Sequence, residues 1–219
     1  MGVFDQIIGW GPALLKATSV TVELTVFSML AALVLGVFLA LGKISKRNII
    51  RWPANAYVFF FRGSPLLLQL FFIYYALPQI IPAFNIKEKM LAAFIAFSLN
   101  IAAYLAEIIR AAIQSIDKGQ TEASHSLGLS YGQTMRLVVI PQAYRRMIPP
   151  ICNEFVLVLK DTSLVAMIAL TDLTFLAKQI QSSAASSFIF IPVFIIYLVL
   201  SAVFMAIFSR LEKRFSVYE

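Results

Sequence analysis

The residues that could do chemistry in this chain are ionisable groups set among apolar ones. Glu107 follows Asn100 and Tyr104 at helical spacing, which places all three on one face of a helix. Lys160 and Asp161, followed by Thr162 and Ser163, interrupt a second apolar stretch, which also holds Glu154. A charge at membrane depth costs at least about 2.5–3.5 kcal/mol near the bilayer centre, so such residues are candidates for function. Two arrangements fit them. In the first, a buried ion pair such as Glu107 with Lys160 fixes helix packing. In the second, Asn100, Tyr104, Glu107, Lys160, Asp161, Thr162 and Ser163 line a polar cavity for a zwitterion. Its carboxylate would need a cation or donors, and its ammonium an acceptor. Lys160 and Asp161 diverge by about 100° around a helix. Only one of the two can then meet a small substrate: Asp161 is taken for the ammonium, with Tyr104 and Asn100 as the remaining polar lining, and Lys160 for a structural pairing with Glu154 or Glu107.

Other chemistries lack residues. The sole cysteine, Cys152, allows neither an intrachain disulfide nor a cysteine cluster, and the sole histidine, His125, rules out a multi-histidine metal site. No catalytic constellation is present, so neither an enzyme nor a metal site is expected. No Gly-x-x-x-x-Gly-Lys-Ser/Thr loop occurs, and Gly42-Lys43 is followed by Ile44, so ATP would have to be bound by another chain.

The elements that must position these groups are membrane helices. Of 219 residues, 60% are hydrophobic and 13% charged, with mean hydropathy +0.85, whereas a soluble domain averages about 45–50% apolar and about 25% charged. A membrane helix needs about 20 mostly apolar residues. Five stretches qualify, at about 18–42, 65–82, 90–114, 150–170 and 187–209, in one domain covering 1–219. No charge falls between Lys178 and Arg210, or between Arg62 and Lys87. The fourth stretch, with its three charges, is the least apolar. Ala32, Gly36 and Ala40 form a small-residue stripe suited to close helix approach. The segment from Val3 to Leu15, around Trp10, reads as an interfacial helix. It lacks the basic start and cleavage site of a signal peptide.

The excess of basic residues, formally +7, is explained by topology. Lys43, Lys46, Arg47, Arg51, Lys118, Arg136, Arg145, Arg146, Arg210, Lys213 and Arg214 fall on one side of a five-span chain. Only Lys16, Lys87, Lys89 and Lys178 fall on the other. The positive-inside rule puts the first set in the cytoplasm, the N-terminus outside and the C-terminus inside. Nucleic-acid binding is not expected.

The segment from about 115 to 149 is then cytoplasmic and structured. Asp117 with Gln120, and Ser130 with Gln133, read as capping boxes. Gly128 reads as the left-handed stop between two short helices, and Pro141 as the limit of the second.

Glu122-Ala123-Ser124, three residues, Gly128, nine residues and Val138-Val139-Ile140-Pro141 resemble the EAA loop of ATP-binding-cassette import permeases. The family pattern is Glu-Ala-Ala, Gly and Ile-x-Leu-Pro at the same spacing. Further segments are similar to the polar amino-acid subgroup: Phe61-Arg62-Gly63-Ser64-Pro65-Leu66-Leu67, Ala103 to Ala111, Asn153-Glu154-Phe155 and Leu159 to Leu164. The likeness runs from Thr18 to Phe215. It implies a multi-pass subunit of the bacterial cytoplasmic (inner) membrane that imports a polar amino acid. It also implies partner ATPase subunits, an external solute-binding protein and a second permease, identical or homologous. Glu122, Ala123, Ser124, His125, Leu127 and Gly128 would form the ATPase-coupling surface, with Ala123 and Leu127 as its apolar face. The rival expectation is a self-sufficient secondary transporter or channel. The absence of a visible inverted repeat weighs against it.

Overall fold

A computed structural model describes residues 3–84 and 86–215, with side chains from residue 8 onward in the first helix. Every element among the described residues is helical. The order is α1 (Val3–Ile44), α2 (Asn48–Gly63), α3 (Leu66–Phe71), α4 (Leu77–Ile80), α5 (Lys89–Gln114), α6 (Lys118–Ser126), α7 (Tyr131–Thr134), α8 (Ile140–Asp161), α9 (Leu173–Ala184) and α10 (Phe190–Phe215). Among the described residues, three helices are long and apolar enough to cross a membrane: Ile8–Ile44, Lys89–Gln114 and Ser187–Phe215. Asn48–Gly63 and Leu66–Ile80 qualify together as a pair bent by 103°.

The core is the seam between α1 and α5. Ala32 and Ala40 are fully buried there, facing Ala102, Ala103, Leu105 and Ala106. A Cβ added at Gly36 would sit 2.9 Å from Leu105 Cβ, so the close approach needs glycine at that position. The small-residue stripe thus does the work its spacing assigns to it.

Neither Pro78 nor Pro141 ends the helix that runs up to it. Pro78 and Pro141 each follow a π-helical turn, Phe72–Ala76 and Met135–Val139. Proline has no N–H and clashes with the carbonyl four residues earlier, at Tyr74 and Leu137 here. The widened turn absorbs both effects. This corrects the expectation that Pro141 limits the second hairpin helix. The chain from Tyr131 runs on through the π-turn into α8 as far as Asp161, and a 3-10 stretch, Thr162–Ile168, continues it.

The N-terminal segment is corrected too. It is no separate interfacial helix but the start of α1, which is unbroken from Val3 to Ile44 despite Pro12. Leu14 and Ala17 are buried against Leu173 and Ala177 of α9 and Ile189 and Val193 near α10.

α9 begins at Asp172, whose carboxylate accepts the Thr174 and Phe175 amides at 3.1 and 2.8 Å. The cap is fully buried. Burial pushes the Asp172 carboxyl above the ordinary aspartate range, and these backbone donors pull partly back.

Candidate functional site

The site forms where α2 breaks. Pro65 disfavours helix at Ser64, whose backbone is extended (φ −123°, ψ 147°). The break strands the last carbonyls of α2 inside an apolar bundle, where each must find a donor. Side chains supply them. Ser64 Oγ donates to the Phe60 carbonyl at 2.8 Å. Gln69 Nε2 donates to the Phe61 carbonyl at 2.9 Å, and Asn100 Nδ2 reaches the same oxygen at 3.0 Å. Tyr57 on α2 donates to the Leu99 carbonyl at 2.8 Å, fastening the half-helix to α5.

A cavity of about 530 Å³ opens at this break. Arg62, Gly63, Ser64 and Pro65 form one wall, Asn100 and Tyr104 of α5 a second, and Glu154 and Asp161 of α8 a third. The Arg62 guanidinium lies 5.3 Å from the centre of the Tyr104 ring, a cation–π distance. Glu154 and Asp161 are seven residues apart, two turns along one face of α8. Arg62 and Asp161 are both close enough to act electrostatically on Glu154. One guanidinium and two carboxylates therefore line one space.

Of the sequence-derived candidates, the structure brings Asn100, Tyr104 and Asp161 together. Glu107 stands apart from them. One of its oxygens pairs with Lys43 of α1, and the other with Arg110 at 2.6 Å. The proposed Glu107–Lys160 pairing is therefore corrected, because both Glu107 oxygens are occupied. Lys160 is exposed and makes no salt bridge with Glu154. Thr162 is buried and donates to the Leu159 carbonyl at 2.7 Å, and neither Thr162 nor Ser163 lines the cavity. Sequence reasoning missed Gln69. The signal was available: a buried amide in a charge-free apolar run must have partners.

At one end of the bundle lies the helical hairpin. Asp117 caps α6 through the Gly119 amide at 2.7 Å. Its expected partner Gln120 instead accepts from Gln142 at 3.3 Å, so the first capping box is not closed. The second, Ser130 with Gln133, is complete. Gly128 has φ +80°, with the Leu129 amide on the Ser124 carbonyl and the Gly128 amide on the His125 carbonyl. That pair of bonds is a Schellman stop. Glu122, Ala123, His125, Leu127 and Gly128 are exposed, Leu127 at 83%, while Ser124 is buried. Arg146 of α8 donates to the Ser115 carbonyl at 2.6 Å and joins the hairpin base to the bundle.

A multi-pass helical protein with a polar cavity at a broken helix and a helical hairpin that exposes Leu127 has the build of a membrane transport subunit. Residues 32–217 match the model of the binding-protein-dependent transport system inner membrane component family, and the chain belongs to that family. A probable amino-acid ABC transporter permease protein of Bacillus subtilis (strain 168), YckA, is 40% identical over 208 residues, covering 94% of this chain and 91% of that one. The arginine transport system permease protein ArtQ of the same organism is 39% identical over 214 residues, 96% of each chain. A solved structure described as an amino acid ABC transporter with histidines superposes with a TM-score of 0.91 at 37% identity, covering 96% of this chain and 98% of that one.

Proposed function

We propose that this chain is the permease subunit of an ATP-driven, binding-protein-dependent importer of polar amino acids, with the cavity at the α2 break as its substrate site. The observation that carries the site is the charge inventory: Arg62 faces Glu154 and Asp161 across about 530 Å³. An amino acid brings one carboxylate and one ammonium. Arg62 suits the first and Asp161 the second, with Asn100 and Tyr104 as polar lining. Glu154 adds a further acid, which suits a basic side chain. A relative named for arginine transport is in keeping with that balance.

The remaining parts follow the family plan. α8 with its 3-10 extension counts as the fourth of five spans, and its acids are tolerated because they turn to the cavity rather than to lipid. The positive-inside balance sets the N-terminus outside and the hairpin in the cytoplasm of a bacterial inner membrane. There Leu127 and its neighbours seat in a partner ATPase, which binds and hydrolyses the ATP. A solute-binding protein delivers substrate outside, and a second permease completes the pathway.

The test is Asp161→Asn in the assembled complex. Hydrogen bonds to charged groups are worth about 1.5–3 kcal/mol, so the half-saturating amino-acid concentration for ATPase stimulation should rise roughly 10- to 150-fold. Complex yield by size-exclusion chromatography should be unchanged. Wild-type stimulation by Asp161→Asn would refute the site.

A further inference from the structure

Asn100 lines the cavity, and which end of its amide faces the substrate decides which charge it favours. Two backbone carbonyls settle the question. The Phe61 and Ser64 carbonyls can only accept, so the amide nitrogens must face them. Gln69 Nε2 reaches the Phe61 carbonyl at 2.9 Å, the Ser64 carbonyl at 3.0 Å and Ser64 Oγ at 2.8 Å. Ser64 has given its own proton to Phe60, so its oxygen is free to accept. With the nitrogen committed, Gln69 Oε1 turns to α5 and accepts from Asn100 Nδ2 at 3.0 Å. Asn100 Nδ2 also donates to Phe61 at 3.0 Å. Both protons of Asn100 are thereby used inside this network. Oδ1 accepts no hydrogen bond from any described residue, and the residue borders the cavity.

We propose that Gln69 is a positioning residue for substrate selectivity: it locks Asn100 with its carbonyl oxygen toward the cavity, so that the site reads a cationic group and turns away an anionic or neutral one. Gln69 is buried on α3 and is not among the residues lining the cavity, so it acts through Asn100. Without Gln69, the single bond to Phe61 is left to orient the Asn100 amide. A turned amide would offer N–H groups beside Arg62, and the wall would favour oxygen ligands instead. The inference rests on the amino-acid reading of the cavity.

The experiment uses the complete complex and the matched pair arginine and citrulline, alike in shape but differing in side-chain charge. The readout is the half-saturating concentration of each for ATPase stimulation. Wild type is expected to prefer arginine. Gln69→Met should narrow the arginine-to-citrulline preference about tenfold, with yield and maximal stimulation retained. Asn100→Ala should narrow it equally, and the double variant should narrow it no further, the mark of two residues acting as one unit. Gln69→Asn keeps amide N–H groups for the two carbonyls and an oxygen for Asn100 Nδ2, and should retain more of the preference than Asn100→Ala does, which serves if the methionine variant does not assemble. An unchanged preference in Gln69→Met, a preference narrowed as far in Gln69→Asn as in Asn100→Ala, additive effects, or a wild type that prefers citrulline would each overturn the assignment. A wild-type complex that answers to neither amino acid would instead overturn the amino-acid reading itself.

Discussion

If the hairpin is the docking surface, its weakest point is Gly128. The residue sits at φ +80° between α6 and α7, and the two backbone bonds of the Schellman stop depend on that conformation. A Cβ built at this position meets nothing within 4 Å. The cost of a substitution is therefore reckoned from the backbone penalty. For a left-handed L-residue that penalty is roughly 1–2 kcal/mol, which lowers the population of the docking geometry about 5- to 30-fold. Gly128→Val should thus insert in the membrane at wild-type levels, retain less ATPase on co-purification with the tagged permease, and lose substrate stimulation in proportion. Asparagine adopts the left-handed region far more readily than valine, so Gly128→Asn should recover most of both. Valine behaving like wild type, or asparagine failing as badly as valine, would refute the reasoning.

Gly36→Ala should destabilise the α1–α5 seam by about 1–3 kcal/mol, because its Cβ meets Leu105 at 2.9 Å and the Ala102 carbonyl at 3.3 Å. Thermal unfolding in detergent checks this against Gly132→Ala, where the space is open. Asp172→Ala should lower stability by about 0.5–2 kcal/mol through the lost cap, whereas Asp172→Asn should not. Because the folded-state pKa of Asp172 is raised, the protonated folded form is favoured. Wild type should gain stability relative to Asp172→Asn as pH falls from neutral towards the ordinary aspartate pKa, about 3.9, and lose that gain as pH rises. In a Cys152→Ser background, a cysteine at Ile80 should be labelled from outside and one at Ser130 only from inside. Reversed labelling would overturn the proposed orientation.

Local features were legible in the sequence. The Gly128 stop, the Ser130–Gln133 box and the Ala32, Gly36, Ala40 stripe each depend on residues a few positions apart. Helical spacing was enough to set Asn100 and Tyr104 on one face. What stayed hidden was long-range or cooperative. Glu107 was drawn to the substrate side because nothing local reveals that Lys43, more than sixty residues earlier, ends α1 beside it. Pro141 looked like a terminator because a π-turn that relieves a proline leaves no mark in composition. The Val3–Leu15 segment looked interfacial because its cover, α9 and the start of α10, comes from the other end of the chain. Gln69 was one amide in an apolar run, and its partners emerge only once the chain folds back at Ser64.

The central claim is that the chain moves an amino acid only when a partner hydrolyses ATP. Proteoliposomes holding the permease with its ATPase, ATP on the hairpin side and the binding protein with labelled arginine on the other, test it directly. Arginine uptake is expected, stopping when ATP is replaced by a non-hydrolysable analogue or when the binding protein is omitted. Uptake by the permease alone, driven by an ion gradient without the ATPase, would contradict it.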